Sequence, residues 1–79
     1  MRIKVRLFAT LREYVPEARI GVTLEIDLPE GARVSDLIAH YGLPADLVKL
    51  AYVNGIYREQ DTPLHDNDEV GLFPPIGGG

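Results

Sequence analysis

Only one stretch of this chain holds the period of a helix across two full turns, and that scarcity limits the folds open to it. In "RVSDLIAHYG", Val34, Leu37, Ile38 and Tyr41 fall at i, i+3, i+4 and i+7, the stripe of an amphipathic helix. Gly42 suits the left-handed residue that ends such a helix, and Pro44 blocks its continuation. The other long apolar patterns alternate. "RIKVRLF" turns Ile3, Val5 and Leu7 one way and Arg2, Lys4, Arg6 and Phe8 the other. "IGVTLEIDL" sets Val22, Leu24, Ile26 and Leu28 against Thr23, Glu25 and Asp27, and Pro29 and Gly31 close it. "AYVNGIY" reads as a strand, an Asn54-Gly55 tight turn and a short returning strand. "EVGLF" reads as a last strand with Val70 and Leu72 inward, after a turn-rich "DTPLHDND" anchored by Leu64. A short helix in "ATLREYV" fits before Pro16, and "PADLVKL" allows another helical turn. One main helix on a mixed sheet of about five strands is a two-layer α+β domain. Clean alternation leaves the other sheet face to solvent.

The chain has 79 residues, 46% of them hydrophobic, enough for one small core without a second domain or linker. It contains no cysteine, which removes disulfides, thiol nucleophiles and cysteine metal sites together. A net charge of −4 opposes nucleic acid as a partner and favours an electropositive protein surface. No apolar run reaches membrane-spanning length, and the N-terminal residues alternate where a signal peptide is continuously apolar, so a cytoplasmic domain is expected. His40 and His65 stand apart and make no metal pair. Asp66, Asp68 and Glu69 lack calcium-loop spacing and read as a solvated turn. Arg12 and Glu13 read as exposed helix charges. No Ser/His/Asp set, paired acid or phosphate loop is present, so no catalysis and no bound cofactor or metal is expected of the chain alone.

The tail "FPPIGGG" is the chemical feature. Pro74 and Pro75 fix φ and hold the chain extended as it leaves the last strand. Gly77, Gly78 and Gly79 make a thin tip of almost free backbone shape. A stiff arm with a slim tip suits a narrow channel on another protein, and a glycine carboxylate is sterically open. Residues 1–76 are expected to form the domain and 77–79 a flexible glycine tail. A carboxylate becomes an acyl donor only when activated, for example as an adenylate, which a sulfur donor can convert to a thiocarboxylate. With no cysteine in the chain, its terminus is the place to carry sulfur.

The element order resembles the β-grasp, or ubiquitin-like, fold. "FATLREY", the "L-x-D-x-D-x-V" spacing of "LHDNDEV", and "FPPIGGG" resemble the small subunit of molybdopterin synthase and its sulfur-carrier relatives over nearly the whole chain. The resemblance implies an activating enzyme related to ubiquitin E1 that adenylates Gly79 with ATP and Mg²⁺, followed by sulfur transfer from a donor onto that residue. Gly78 would be its slim neighbour. It further implies a large subunit, in a heterotetramer, whose pocket receives the tail and where sulfur passes to a pterin precursor. Gly77 departs from the commonest family pattern, which has a small side chain there.

Phe8 and Phe73 should meet on the open sheet face if the first and last strands are parallel neighbours. Together with Pro74, Pro75 and Gly77 they are the candidate partner-binding residues. Burial of either ring beneath the first short helix or within the core is the alternative. Three other functional readings stay open at this level. They are a sulfur carrier for tRNA thiolation, thiamine or cysteine synthesis, a protein modifier joined through Gly79 to lysines, and a binding module with an inert tail. The chain's own lysines, Lys4 and Lys49, leave little scope for self-linked chains.

Overall fold

The computed structural model describes residues 1–75. Its strands are β1 (Arg2–Leu7), β2 (Leu24–Asp27), β3 (Leu50–Val53), β4 (Ile56–Tyr57) and β5 (Glu69–Phe73), and its α-helix is α1 (Val34–His40). Two 3-10 helices, Ala9–Tyr14 and Ala45–Leu47, fill the connections after β1 and after α1. The five strands form one sheet in the order β2-β1-β5-β3-β4. The central pair β1 and β5 runs parallel, and the other pairings are antiparallel. This is the β-grasp architecture that the element order implied.

Alternation decides which face is covered. Ile3, Val5 and Leu7 of β1, Ala51 and Val53 of β3, and Val70 and Leu72 of β5 are buried. Val34, Leu37 and Ile38 of α1 join them in the same core, with Tyr41 packed against it and Leu64 anchoring the last connection. Burying a Val, Leu or Ile side chain contributes roughly 1.5–3 kcal/mol, so one helical stripe is a major share of so small a core.

The helix ends as its sequence implies. Gly42 adopts φ 68°, where a Cβ would be strained. Its N–H donates to the Ala39 carbonyl while the Leu43 N–H reaches back to Ile38, the paired bonds of a Schellman motif. At the other end, the Asp36 carboxylate accepts the Arg33 N–H at 2.7 Å and ties down the entering chain. Asn54 and Gly55 both have positive φ, 52° and 82°, as a two-residue hairpin turn between β3 and β4 requires.

One element departs from the sequence reading. The second strand begins at Leu24 rather than near Ile20, because the Val22 N–H is taken by the Arg19 carbonyl in a turn. Ile20 consequently lies 82% exposed on that loop. The short helix expected after β1 is present as a 3-10 helix, which opens on Ala9 with φ 53° and buries Leu11. Among the described residues, no helix is long and apolar enough to cross a membrane.

Candidate functional site

The open face of the sheet is divided into a charged half and an aromatic half. Register sets Arg2 and Lys4 of β1 opposite Asp27 and Glu25 of β2. Arg2 forms exposed ion pairs with both carboxylates, at 3.3 Å to Asp27 and 3.8 Å to Glu25, which contribute little in water. Arg6 instead donates its Nε–H to Thr23 Oγ1 at 3.0 Å.

The aromatic half lies across β5, β3 and β4. Phe8 and Phe73 stack with ring centroids 4.1 Å apart and planes 5° from parallel. Tyr52 meets the Phe73 ring edge-on at 5.6 Å, and Tyr57 meets Tyr52 at 6.2 Å. Such ring pairs add roughly 0.5–1.5 kcal/mol each beyond their area. Gly71 lies beneath the stack. It lies between Arg6 and Tyr52 in the register, and a Cβ placed on it would stand 3.4 Å from both phenylalanine rings. The first short helix does not bury Phe8. Both phenylalanines remain half-exposed on the face away from α1, as alternation predicted.

Tyr52, Tyr57 and Gly71 were not singled out in the sequence. Alternation gives the facing of Tyr52 and Gly71, but only the sheet order brings β3 and β4 up to β5. The Tyr57 hydroxyl donates weakly to Glu59 at 3.4 Å. That carboxylate's charge is the first cause holding the Tyr57 phenol protonated above its ordinary range.

One acidic residue is placed differently from its sequence reading. Asp68 is buried, not solvated. Its Oδ2 accepts the His65 N–H at 2.7 Å and its Oδ1 accepts the Asn54 amide at 2.9 Å. Asn54 Oδ1 in turn accepts the Glu69 N–H at 3.0 Å, and Asp66 accepts the Arg2 N–H at 2.7 Å. The acidic turn therefore fastens the hairpin tip and the start of β1 to the start of β5. Glu13, His40 and His65 are exposed, whereas Arg12 is half-buried. Among the described residues, no group of His, Asp or Glu could hold a metal ion.

At its far end β5 is held on both sides. The Phe8 N–H donates to Leu72 at 3.1 Å and the Lys49 N–H donates to Phe73 at 3.0 Å. The chain then leaves through half-buried Pro74 and exposed Pro75, beside the ring stack. Gly77, Gly78 and Gly79, the expected reactive tip, lie outside the described residues.

A β-grasp sheet with an aromatic face at the root of a Pro-Pro arm is the build of a ubiquitin-like protein. The sequence matches the ThiS family over residues 5–79, and the chain belongs to that family of ubiquitin-like sulfur carriers. It is 36% identical over 80 residues to the molybdopterin synthase sulfur carrier subunit of Escherichia coli, covering 98% of this chain and 99% of that one. It is 32% identical to small archaeal modifier protein 3 of Haloferax volcanii, covering 100% of both chains. Among solved structures, a Pyrococcus furiosus protein provisionally assigned as molybdopterin converting factor subunit 1 superposes with a TM-score of 0.72. That pair is 33% identical, over 96% of this chain and 99% of the other.

Proposed function

We propose that this chain is the sulfur-carrying small subunit of a molybdopterin synthase. The observation that carries the reading is the aromatic face at the end of β5, directly before a Pro-Pro-Ile-Gly-Gly-Gly segment that the family match covers to residue 79. An activating enzyme attaches the Gly79 carboxylate to AMP from ATP and Mg²⁺, releasing pyrophosphate. A sulfur donor then displaces AMP and leaves a thiocarboxylate. The tail enters a pocket of the large subunit, where the thiocarboxylate sulfur is transferred to a pterin precursor and the carboxylate is regenerated. Phe8 and Phe73 dock the body, Pro74 and Pro75 hold the arm extended, and Gly77 and Gly78 keep its tip narrow. The protein's part is positioning, since the bond-making groups belong to its partners.

A second reading has a specific observation behind it. The likeness to an archaeal modifier protein supports transfer of the same Gly79 acyl group to a lysine amine instead of a sulfur atom. Removing Gly79 separates a working tail from an inert one. The shortened protein is expected to unfold at the same temperature as the full chain and to fail to support molybdopterin formation with the large subunit. Undiminished molybdopterin formation would contradict the proposal.

A further inference from the structure

The hairpin tip between β3 and β4 holds a chemically labile pair. An asparagine loses its side-chain amide when the next backbone nitrogen attacks its Cγ, and a following glycine leaves that nitrogen unshielded. The chain has two asparagines, and the structure separates them. Asn67 is followed by Asp68, whose N–H is committed to the His65 carbonyl at 3.1 Å. Asn54 is followed by Gly55, whose N–H meets no backbone acceptor among the described residues. A Cβ on Gly55 would meet nothing within 4 Å, so the turn is open to water. The Asn54 side chain, by contrast, is tied down. Its Nδ2 donates to Asp68 Oδ1 at 2.9 Å and its Oδ1 accepts the Glu69 N–H at 3.0 Å. Its own N–H donates to the Glu69 carbonyl at 2.7 Å. Closing a ring onto the Gly55 nitrogen needs the Asn54 backbone and side chain to rotate together, which breaks these bonds.

We infer that Asn54 is a deamidation site guarded by Asp68, and that its conversion irreversibly unlocks the β3–β4 hairpin from β5. In the step, the Gly55 nitrogen gives its proton to solvent and attacks Asn54 Cγ. The N–Cγ bond forms, the Cγ–Nδ2 bond breaks, and Nδ2 takes a proton from solvent and leaves as ammonia. One water then opens the cyclic imide at either carbonyl, giving aspartate or isoaspartate, and no oxidant or reductant is needed. Either product carries a carboxylate where an amide donated. Asp68, only 8% exposed, then loses a donor and faces a second negative charge at hydrogen-bonding range, which opposes reclosure. The reaction runs through a local opening of the hairpin, so its rate in the folded protein follows how often that opening occurs. Tyr52 and Tyr57 lie on the two strands that the turn joins, and unlocking it loosens the outer part of the aromatic face.

The test stores the full chain, folded and in concentrated guanidinium chloride, in mildly alkaline buffer at physiological temperature. Tandem mass spectrometry of its peptides then reads aspartate and isoaspartate at both asparagine positions. The folded chain is expected to convert at Asn54 before Asn67, and at least about tenfold more slowly than the unfolded chain, as a closed hairpin requires. That comparison needs no variant. Asp68→Ala should raise the folded rate several-fold. Val34→Ala, which weakens the core at α1 and leaves Asp68 in place, should not. Asn54→Asp, which reproduces one product directly, should unfold at a lower denaturant concentration than the parent. Equal rates in the folded and unfolded chain, conversion at Asn67 first, or equal acceleration by Asp68→Ala and Val34→Ala would each overturn the inference. So would an unchanged unfolding midpoint for Asn54→Asp.

Discussion

At the scale of single residues, two buried polar groups shape stability in opposite directions. Asp68 satisfies the His65 N–H and the Asn54 amide. Asp68→Ala leaves both without an acceptor, and the expected loss is about 2 kcal/mol in urea unfolding. Tyr41 is the converse, because its buried hydroxyl has no hydrogen-bond partner among the described residues. Burial, and then the nearby Glu17 charge, raise its pKa above the ordinary 10.0. The folded state thus holds this proton more tightly than the unfolded chain does. Its contribution is complete below pH 10.0 and is lost as pH rises from there through the raised folded value. Tyr41→Phe is therefore expected to match or exceed the parent at neutral pH and to lose less stability above pH 10.0, as read by thermal scans across that range. The role of Asp68 was not legible in the sequence. Its partners come from two other segments of the chain, and an acidic run next to Asn67 looks like any solvated turn until the hairpin tip is brought against it.

At the scale of elements, local chemistry was readable where it alone decides the outcome. The α1 stripe, the Gly42 stop and the Asn54-Gly55 turn each follow from side-chain period or backbone permission within a few residues. The β2 boundary was misread because Val22 continues the alternation while its N–H is committed to a turn. The meeting of Phe8 and Phe73 was legible once β1 and β5 were taken as parallel neighbours. The extension of that pair through Tyr52 to Tyr57 needed the sheet order. Since half-exposed aromatic rings dominate docking energetics, Phe73→Ala is expected to weaken binding to the large subunit by about 2 kcal/mol. Calorimetric titration measures that loss, and an unchanged far-ultraviolet circular dichroism spectrum shows that the fold persists. Unchanged affinity would remove the aromatic face from the docking surface.

At the scale of the molecule, division of labour is the central feature. A sheet pinned by one helix and an acidic turn gives a rigid body, and an aromatic face stands at the root of the arm that follows β5. Among the described residues no cluster could hold a metal ion, and under the proposed function the body's task is to hand one acyl end to other catalysts. The most direct measurement is intact-mass analysis of the full chain after incubation with activating enzyme, ATP, Mg²⁺ and a sulfur donor. The account predicts a mass gain equal to sulfur replacing one oxygen, localised to Gly79 and absent when ATP is withheld. A mass that stays unchanged while the enzyme is active on another carrier would contradict it.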